Sequence, residues 1–244
     1  MQISKSKDNI YSEFLERTQA FKFDDKVVAV FSDMIKRSVP GYENILTMTG
    51  LVTQLYAQDN TNCYDLGCSI GASTLAILNN LQNKTCHVHA IDNSPDMINQ
   101  CSKNLQSSSS SQYTVICENI SNIKFQNASV VVLNFTLQFI PIEQRENLLN
   151  NIYNNLIPGG VLLLSEKIRL SNAQENLTFN QIHHAFKKTQ GYSDLEISQK
   201  RNALENVLIP ESPEQHTQRL NNVGFTNALQ WFQCLNFASF ICIK

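Results

Sequence analysis

The sequence predicts an α/β fold whose mostly parallel sheet carries helices on both faces. Three observations lead there. Short apolar runs alternate with amphipathic stretches from residue 63 to 166, the order produced by strand–helix–strand units. A glycine loop, Gly67-Cys68-Ser69-Ile70-Gly71, follows the first run and opens directly into a helical window. Ser94-Pro95-Asp96 then supplies an N-cap, a proline at the first helical position and an acid in the first turn.

Taken in order, strands are expected at 63–66, 86–92, 113–117, 130–135 and 161–166, with helices at 73–81, 95–105 and 141–156. Pro158-Gly159-Gly160 is expected to end the last helix and turn the chain into the fifth strand. Ahead of this core, 24–37 and 43–56 read as helices. In the second, Ile45, Met48, Val52 and Leu55 recur at helical spacing. Residues 171–223 read as a helical insertion. The closing stretches, 225–232 and 236–244, are expected to form a hairpin on the sheet edge. The polar tract 107–111 is a loop. No repeat or linker divides the chain, so residues 1–244 are expected to form one domain.

Composition bounds the function. Only 8 of 244 residues are glycine, which removes collagen-like and Gly/Ser-linker architectures and leaves each glycine as punctuation. At 42% hydrophobic, with 13 phenylalanines, the chain can bury a core. A net charge of −2 gives no footprint for direct nucleic-acid binding. No apolar window is long enough to span a membrane. The segment from Met1 to Arg17 lacks a signal-peptide core, so the expected setting is cytoplasmic. Seven cysteines without a C-x-x-C read as reduced structural thiols, with no metal site expected. Those at 63, 86, 117, 234 and 242 fall in strand-like runs as small apolar residues.

The chemistry concentrates at strand ends. In Tyr64-Asp65-Leu66-Gly67-Cys68-Ser69-Ile70-Gly71, Gly67 allows a sharp turn and brings backbone amides to a ligand. Gly71 is expected to let the helix pack tightly on the strand. About 20 residues on, Asp92-Asn93 closes the next strand where a carboxylate can accept both ribose hydroxyls. A dinucleotide fingerprint needs a middle glycine, and Ser69 stands there. That departure disfavours a pyrophosphate and suits a smaller nucleoside, typically S-adenosylmethionine (SAM). Asn119, beside Ile120, reads either as an adenine-recognising amide or as a turn residue. Asn134 closes an apolar run and reads as a site residue or a strand-end cap, since a buried amide needs partners. His183-His184 and Lys187-Lys188 read as structural or solvated. Lys200-Arg201 has no special spacing, and Val39-Pro40-Gly41-Tyr42 reads as a turn presenting a tyrosine. Residue spacing stops at a SAM-type α/β enzyme.

Across residues 21–244 the sequence resembles the carboxy-S-adenosyl-L-methionine synthases. The resemblance rests on Val39-Pro40-Gly41-Tyr42, the 64–69 loop, Ile91-Asp92-Asn93-Ser94-Pro95 and the run Val131 to Phe139. It extends through Leu164-Ser165-Glu166-Lys167, Leu195 to Arg201, Glu205-Asn206-Val207-Leu208 and Trp231-Phe232-Gln233-Cys234. It implies a Rossmann-like class I methyltransferase fold: seven strands, mostly parallel, with an antiparallel C-terminal hairpin. It implies that SAM and prephenate become carboxy-SAM and phenylpyruvate. Carboxy-SAM would then supply a partner enzyme that carboxymethylates a wobble uridine in tRNA. A homodimer is implied as well, without deciding whether Arg201 serves its own or a neighbouring site. Carried over by motif, the ligand contacts are Tyr42, Gly67, Cys68, Ser69, Asp92, Asn93, Asn119, Ile120, Asn134 and Arg201. Arg201 and Tyr42 would act on the added carboxylate, since a guanidinium holds such a group through two parallel hydrogen bonds. Asn119 stands where relatives often have Asp, so its adenine contact would lack charge assistance. The alternatives are a conventional SAM-dependent methyltransferase acting on a small molecule or tRNA, and a non-catalytic SAM-binding module.

Overall fold

A computed structural model describes residues 6–15, 20–106, 108 and 112–244. Two helices, α1 (Asp25–Ser38) and α2 (Tyr42–Tyr56), precede β1 (Thr61–Leu66), α3 (Ala72–Asn80), β2 (Cys86–Asp92), α4 (Pro95–Leu105) and β3 (Tyr113–Cys117). The chain continues through β4 (Ala128–Asn134), α5 (Ile142–Asn155) and β5 (Leu156–Lys167). Three helices follow, α6 (Ala173–Thr189), α7 (Asp194–Leu204) and α8 (Pro213–Asn222), and then β6 (Ala228–Cys234) and β7 (Phe237–Ile243).

The seven strands lie in the order β3-β2-β1-β4-β5-β7-β6. β1 to β5 are parallel, and β7 runs antiparallel between β5 and β6. Strand order reverses between β1 and β4, which opens a crevice at their carboxyl ends. β4 explains its own place. Ala128 to Leu133 are all buried, the unbroken burial of a central parallel strand covered on both faces. Alternate residues serve opposite cores: Val131 and Leu133 pack with Leu149, Ile152 and Phe240, while Val130 and Val132 pack with Ile77, Val88 and Leu163.

Local signals account for the helix starts. The Ser94 hydroxyl accepts the Met97 N–H, and α7 and α8 open on capping boxes, Ser193 with Glu196 and Ser212 with Gln215.

Several expectations need correction. Pro158-Gly159-Gly160 does not end a helix: α5 stops at Asn155, and the proline–glycine segment lies inside β5. Leu156 already pairs with Ala128, and the register shifts before Val130 meets Val161, so the segment forms an irregularity within the strand. Phe135 lies beyond β4, its backbone in the left-handed region at φ 61. The hairpin begins at Ala228 rather than 225, because Phe225 is buried beneath Tyr153. All seven cysteines are free thiols, but Cys117 is exposed and Cys234 half-buried. Of the tract 107–111, only Ser108 is among the described residues. No described helix is long and apolar enough to cross a membrane.

Candidate active site

The loop between β1 and α3 is folded against the end of β2. The N–H groups of Gly67 and Cys68 both donate to the Ile91 carbonyl at 2.8 Å. The Ser69 N–H donates to Asp92 Oδ2 at 2.9 Å, and the Ser94 N–H to Asp92 Oδ1 at 2.9 Å. Burial nevertheless holds the Asp92 carboxyl above the usual carboxylate range, against these amide donors. Gly67 has φ +77, and a Cβ there would stand 2.4 Å from Thr136 Oγ1. The glycine thus lets the loop after β4 close onto the loop after β1. Gly71, at φ +89, makes room for a different neighbour than expected. A Cβ would meet Cys101 Sγ of α4 at 2.9 Å, so helix–helix rather than helix–strand packing requires it. Ser69 takes a left-handed conformation at φ 50, so the missing glycine leaves the backbone shape intact and adds a side chain to the loop.

Asp65, behind this loop, is 1% exposed and receives the Thr74 hydroxyl at 2.6 Å. Burial, with the Asp92 charge nearby, pushes its carboxyl up to about 7. Asn119 caps the 3-10 turn Ile120–Asn122, its Oδ1 accepting the Ser121 N–H at 2.9 Å. An adenine contact through that oxygen therefore has only the second lone pair to use. At the end of β4, Asn134 Nδ2 donates to Ser73 Oγ at 2.9 Å and Thr49 Oγ1 at 3.3 Å. Its Oδ1 is buried with no hydrogen-bond partner among the described residues. A buried acceptor left open is costly, and a ligand donor would satisfy it.

One cavity of about 1130 Å³ gathers all ten candidate residues: Tyr42, Gly67, Cys68, Ser69, Asp92, Asn93, Asn119, Ile120, Asn134 and Arg201. Sheet-end loops form its floor. The roof comes from α1, α2, α6 and α7, with Phe21, Phe23 and Phe139 among the apolar lining. Tyr42 begins α2 after Gly41 at φ 79; its ring lies near Phe135, and burial raises its hydroxyl well above the ordinary tyrosine value. Arg201, near the end of α7, is exposed and has no ion-pair partner among the described residues.

Other residues of the site escaped sequence reasoning. Glu166 is fully buried and accepts the N–H groups of Leu137 and Gln138, each at 2.9 Å. Burial raises its carboxyl to about 8, against those amides and Arg145. It fixes the loop after β4. Lys187 and Lys188 both line the cavity wall; Lys187 is half-buried, whereas Lys188 is exposed and bonds Asp194. The two lysines were expected to share a solvated face. His183 is buried, with Nε2 2.8 Å from the Ser38 carbonyl. No local pattern distinguishes Lys187 from Lys188; the seating of α6 does. Among the described residues, no group of three or more His, Cys, Asp or Glu is placed to hold a metal ion.

Known proteins share this fold. A family model for a methyltransferase domain matches residues 64–160. Human N-acetylserotonin methyltransferase in complex with SAM superposes with a TM-score of 0.60 at 14% identity, over 90% of this chain and 58% of that one. Magnesium protoporphyrin IX methyltransferase from Synechocystis, with bound S-adenosylhomocysteine, gives 0.61 at 13% identity, over 86% and 87%. Fold and crevice thus define a protein of the class I SAM-dependent methyltransferase fold. Nearer relatives are carboxy-S-adenosyl-L-methionine synthases. That of Shewanella halifaxensis is 49% identical over 243 residues, covering 99% of this chain and 100% of the relative. That of Hahella chejuensis is 50% identical over 249 residues, with 99% and 100% covered. The chain belongs to the carboxy-S-adenosyl-L-methionine synthase family.

Proposed function

We propose that this chain, acting as one SAM-binding unit over residues 1–244, converts SAM and prephenate to carboxy-SAM and phenylpyruvate. The observation that carries the reading is Arg201, a guanidinium without a carboxylate partner among the described residues, in the same cavity as Tyr42 and the Ser69–Asp92 loop. An ordinary methyl transfer leaves that cation without a task. Carboxy-SAM bears an extra carboxylate beside its sulfonium, and a guanidinium binds such a group bidentately.

In the reaction proposed, prephenate loses CO2 and hydroxide as its ring becomes aromatic. The hydroxide takes a proton from the S-methyl group and leaves as water. The resulting ylide carbon attacks CO2 and becomes the carboxymethyl group. No strong protein base is needed in this scheme. The protein's work is positioning and exclusion of water, which suits the phenylalanine-lined roof. Asp92 would accept the ribose hydroxyls, Asn119 and Ile120 would flank the adenine, and the open oxygen of Asn134 would receive a ligand donor.

Further parts of the reading rest on the resemblance. The product would supply a tRNA wobble-uridine carboxymethylating enzyme, with no direct nucleic-acid contact by this chain at net charge −2. A homodimer is consistent with exposed Leu177 and Ile182 on α6. Seven free thiols suit the reducing cytoplasm.

The test is direct. Purified protein given SAM and prephenate is expected to release phenylpyruvate and a SAM species heavier by one carboxyl group, read by mass spectrometry. Absence of both from folded, SAM-binding protein would overturn the reading. S-adenosylhomocysteine formed with a defined acceptor would favour a conventional methyltransferase.

A further inference from the structure

One side of the cavity wall holds more positive charge than the carboxylate of one product requires. Lys167 at the end of β5, Lys187 on α6, and Lys200 and Arg201 on α7 all line it. Their neighbours are already engaged. Lys188 and His184 share the Asp194 carboxylate, at 2.8 and 2.7 Å. Lys200 donates to Ser38 Oγ at 3.0 Å and stands 3.7 Å from Asp8. The ammonium groups of Lys167 and Lys187, by contrast, have neither a hydrogen bond nor an ion pair among the described residues. Among the described residues, the acids lining the cavity are Asp92 and Glu205. Asp92 is held by the backbone N–H groups of Ser69, in the loop after β1, and of Ser94, at the start of α4, and Glu205 makes no ion pair among the described residues. Two half-buried ammonium groups thus face the cavity from different elements, without counter-charge.

Their protonation reflects this crowding. Burial, then the charges of Lys167, Lys200 and Arg201, pushes Lys187 down to about 7. Burial and then Arg201 lower Lys167. Bringing an anion between such groups removes the mutual repulsion that their placement creates.

We propose that Lys167 and Lys187 form a dicarboxylate subsite holding the two carboxylates of the carboxyl donor, with Arg201 reserved for the carboxylate of the sulfonium product. The proposal rests on the reaction assigned above and adds the recognition of its second substrate. A compact ammonium group holds a carboxylate through charge with little directional demand, whereas a guanidinium fork clasps it. One lysine therefore suits the donor carboxyl group that leaves as CO2, and the other anchors the donor carboxylate that stays on the keto acid through charge alone.

The experiment measures KM for prephenate at saturating SAM, and calorimetric binding of prephenate to SAM-loaded protein, for wild type, Lys167→Gln, Lys187→Gln and Lys187→Arg. Each glutamine variant is expected to weaken prephenate by about 10–100-fold, the usual effect of losing a charge-assisted hydrogen bond, while SAM binding is unchanged. Lys187→Arg is expected to keep most of the affinity. In the wild type, KM for prephenate should be lowest below about pH 7, where Lys187 is charged, and should rise as that charge is lost above it. Unchanged prephenate affinity in both glutamine variants, or an equal loss of SAM binding, would overturn the subsite. Lysine-to-methionine variants serve at either position if a glutamine variant melts early. Failure of the reaction itself looks different: wild-type protein would bind prephenate through both lysines yet make no carboxy-SAM.

Discussion

The Ser69 backbone N–H donates to the Asp92 carboxylate across 2.9 Å, joining the loop after β1 to the end of β2. The same carboxylate takes the Ser94 N–H through its other oxygen. One acid therefore shapes the loop and, in the proposed complex, presents its remaining lone pairs to the ribose. Asp92→Asn turns one of the two acceptor positions into a donor facing a backbone N–H. SAM affinity measured by calorimetry is expected to fall by about 1.5–3 kcal/mol, the range for hydrogen bonds to a charged group. An unchanged dissociation constant would remove Asp92 from the ribose site.

Arg201→Ala is expected to separate the two sulfonium ligands. SAM has no carboxylate beside its sulfonium, so its binding should survive largely intact. Preference for carboxy-SAM should collapse, because a directional two-hydrogen-bond contact is lost. Competition between the two ligands on one protein sample reads this directly. Equal loss for both would remove Arg201 from its assigned role.

Gln199 ties the N-terminal segment to α7, two residues before Arg201. Its Nε2 donates to the carbonyls of Tyr11 at 2.9 Å and Glu13 at 2.8 Å, and its Oε1 accepts the Leu15 N–H at 2.7 Å. Gln199→Ala removes all three links at once. The expected cost is about 1–3 kcal/mol, because several backbone groups lose a partner together. Limited proteolysis should then cut within residues 6–15 earlier than in wild type. Unchanged cleavage kinetics would show that the segment holds by other contacts.

His216 sets an acid limit on stability. It is 2% exposed, and neither ring nitrogen has a hydrogen-bond partner among the described residues. Burial depresses it to about 4 from an ordinary 6.5; the Glu211 charge partly opposes this, and Arg219 and Arg145 reinforce it. The unfolded chain therefore binds a proton below pH 6.5 that the folded chain resists. Stability from this group is complete above pH 6.5 and is lost as pH falls toward 4, at up to about 1.4 kcal/mol per pH unit. His183, depressed to about 3, contributes with the same sign. Glu166, raised to about 8, opposes it, because the folded chain keeps that proton between pH 4.5 and 8. Comparing melts of wild type and His216→Leu from pH 4 to 8 isolates the histidine. The variant should show a flatter acid limb, and parallel curves would assign the limb elsewhere.

Much of the fold could be read locally. The run Val130 to Leu133 announced a buried strand, Ser94-Pro95-Asp96 announced α4, and Gly67 and Gly71 announced the turn from β1 into α3. These signals survive because they depend on residues close in the chain: side-chain period, cap chemistry and a loop between neighbouring elements. Pro158-Gly159-Gly160 misled for the same reason. Proline and glycine announce a break, but only pairing with β4 and β7 turns that break into an irregularity inside β5.

The rest needed chain segments brought together over long separations. Nothing near Glu166 in the sequence says that its carboxylate will accept the N–H groups of Leu137 and Gln138; that follows from β5 lying beside β4. Nothing distinguishes Lys187 from Lys188 until α6 packs over the crevice: both line the cavity, but Lys188 pairs with Asp194 while Lys187 is half-buried with no such partner among the described residues. Sequence alone was sufficient for most of the sheet and its helix starts, because period and local spacing are properties of short segments, and the family followed from motifs spread over the chain. The tertiary structure alone established which cations stand unpaired among the described residues, because desolvation and charge pairing depend on every segment that meets at a point.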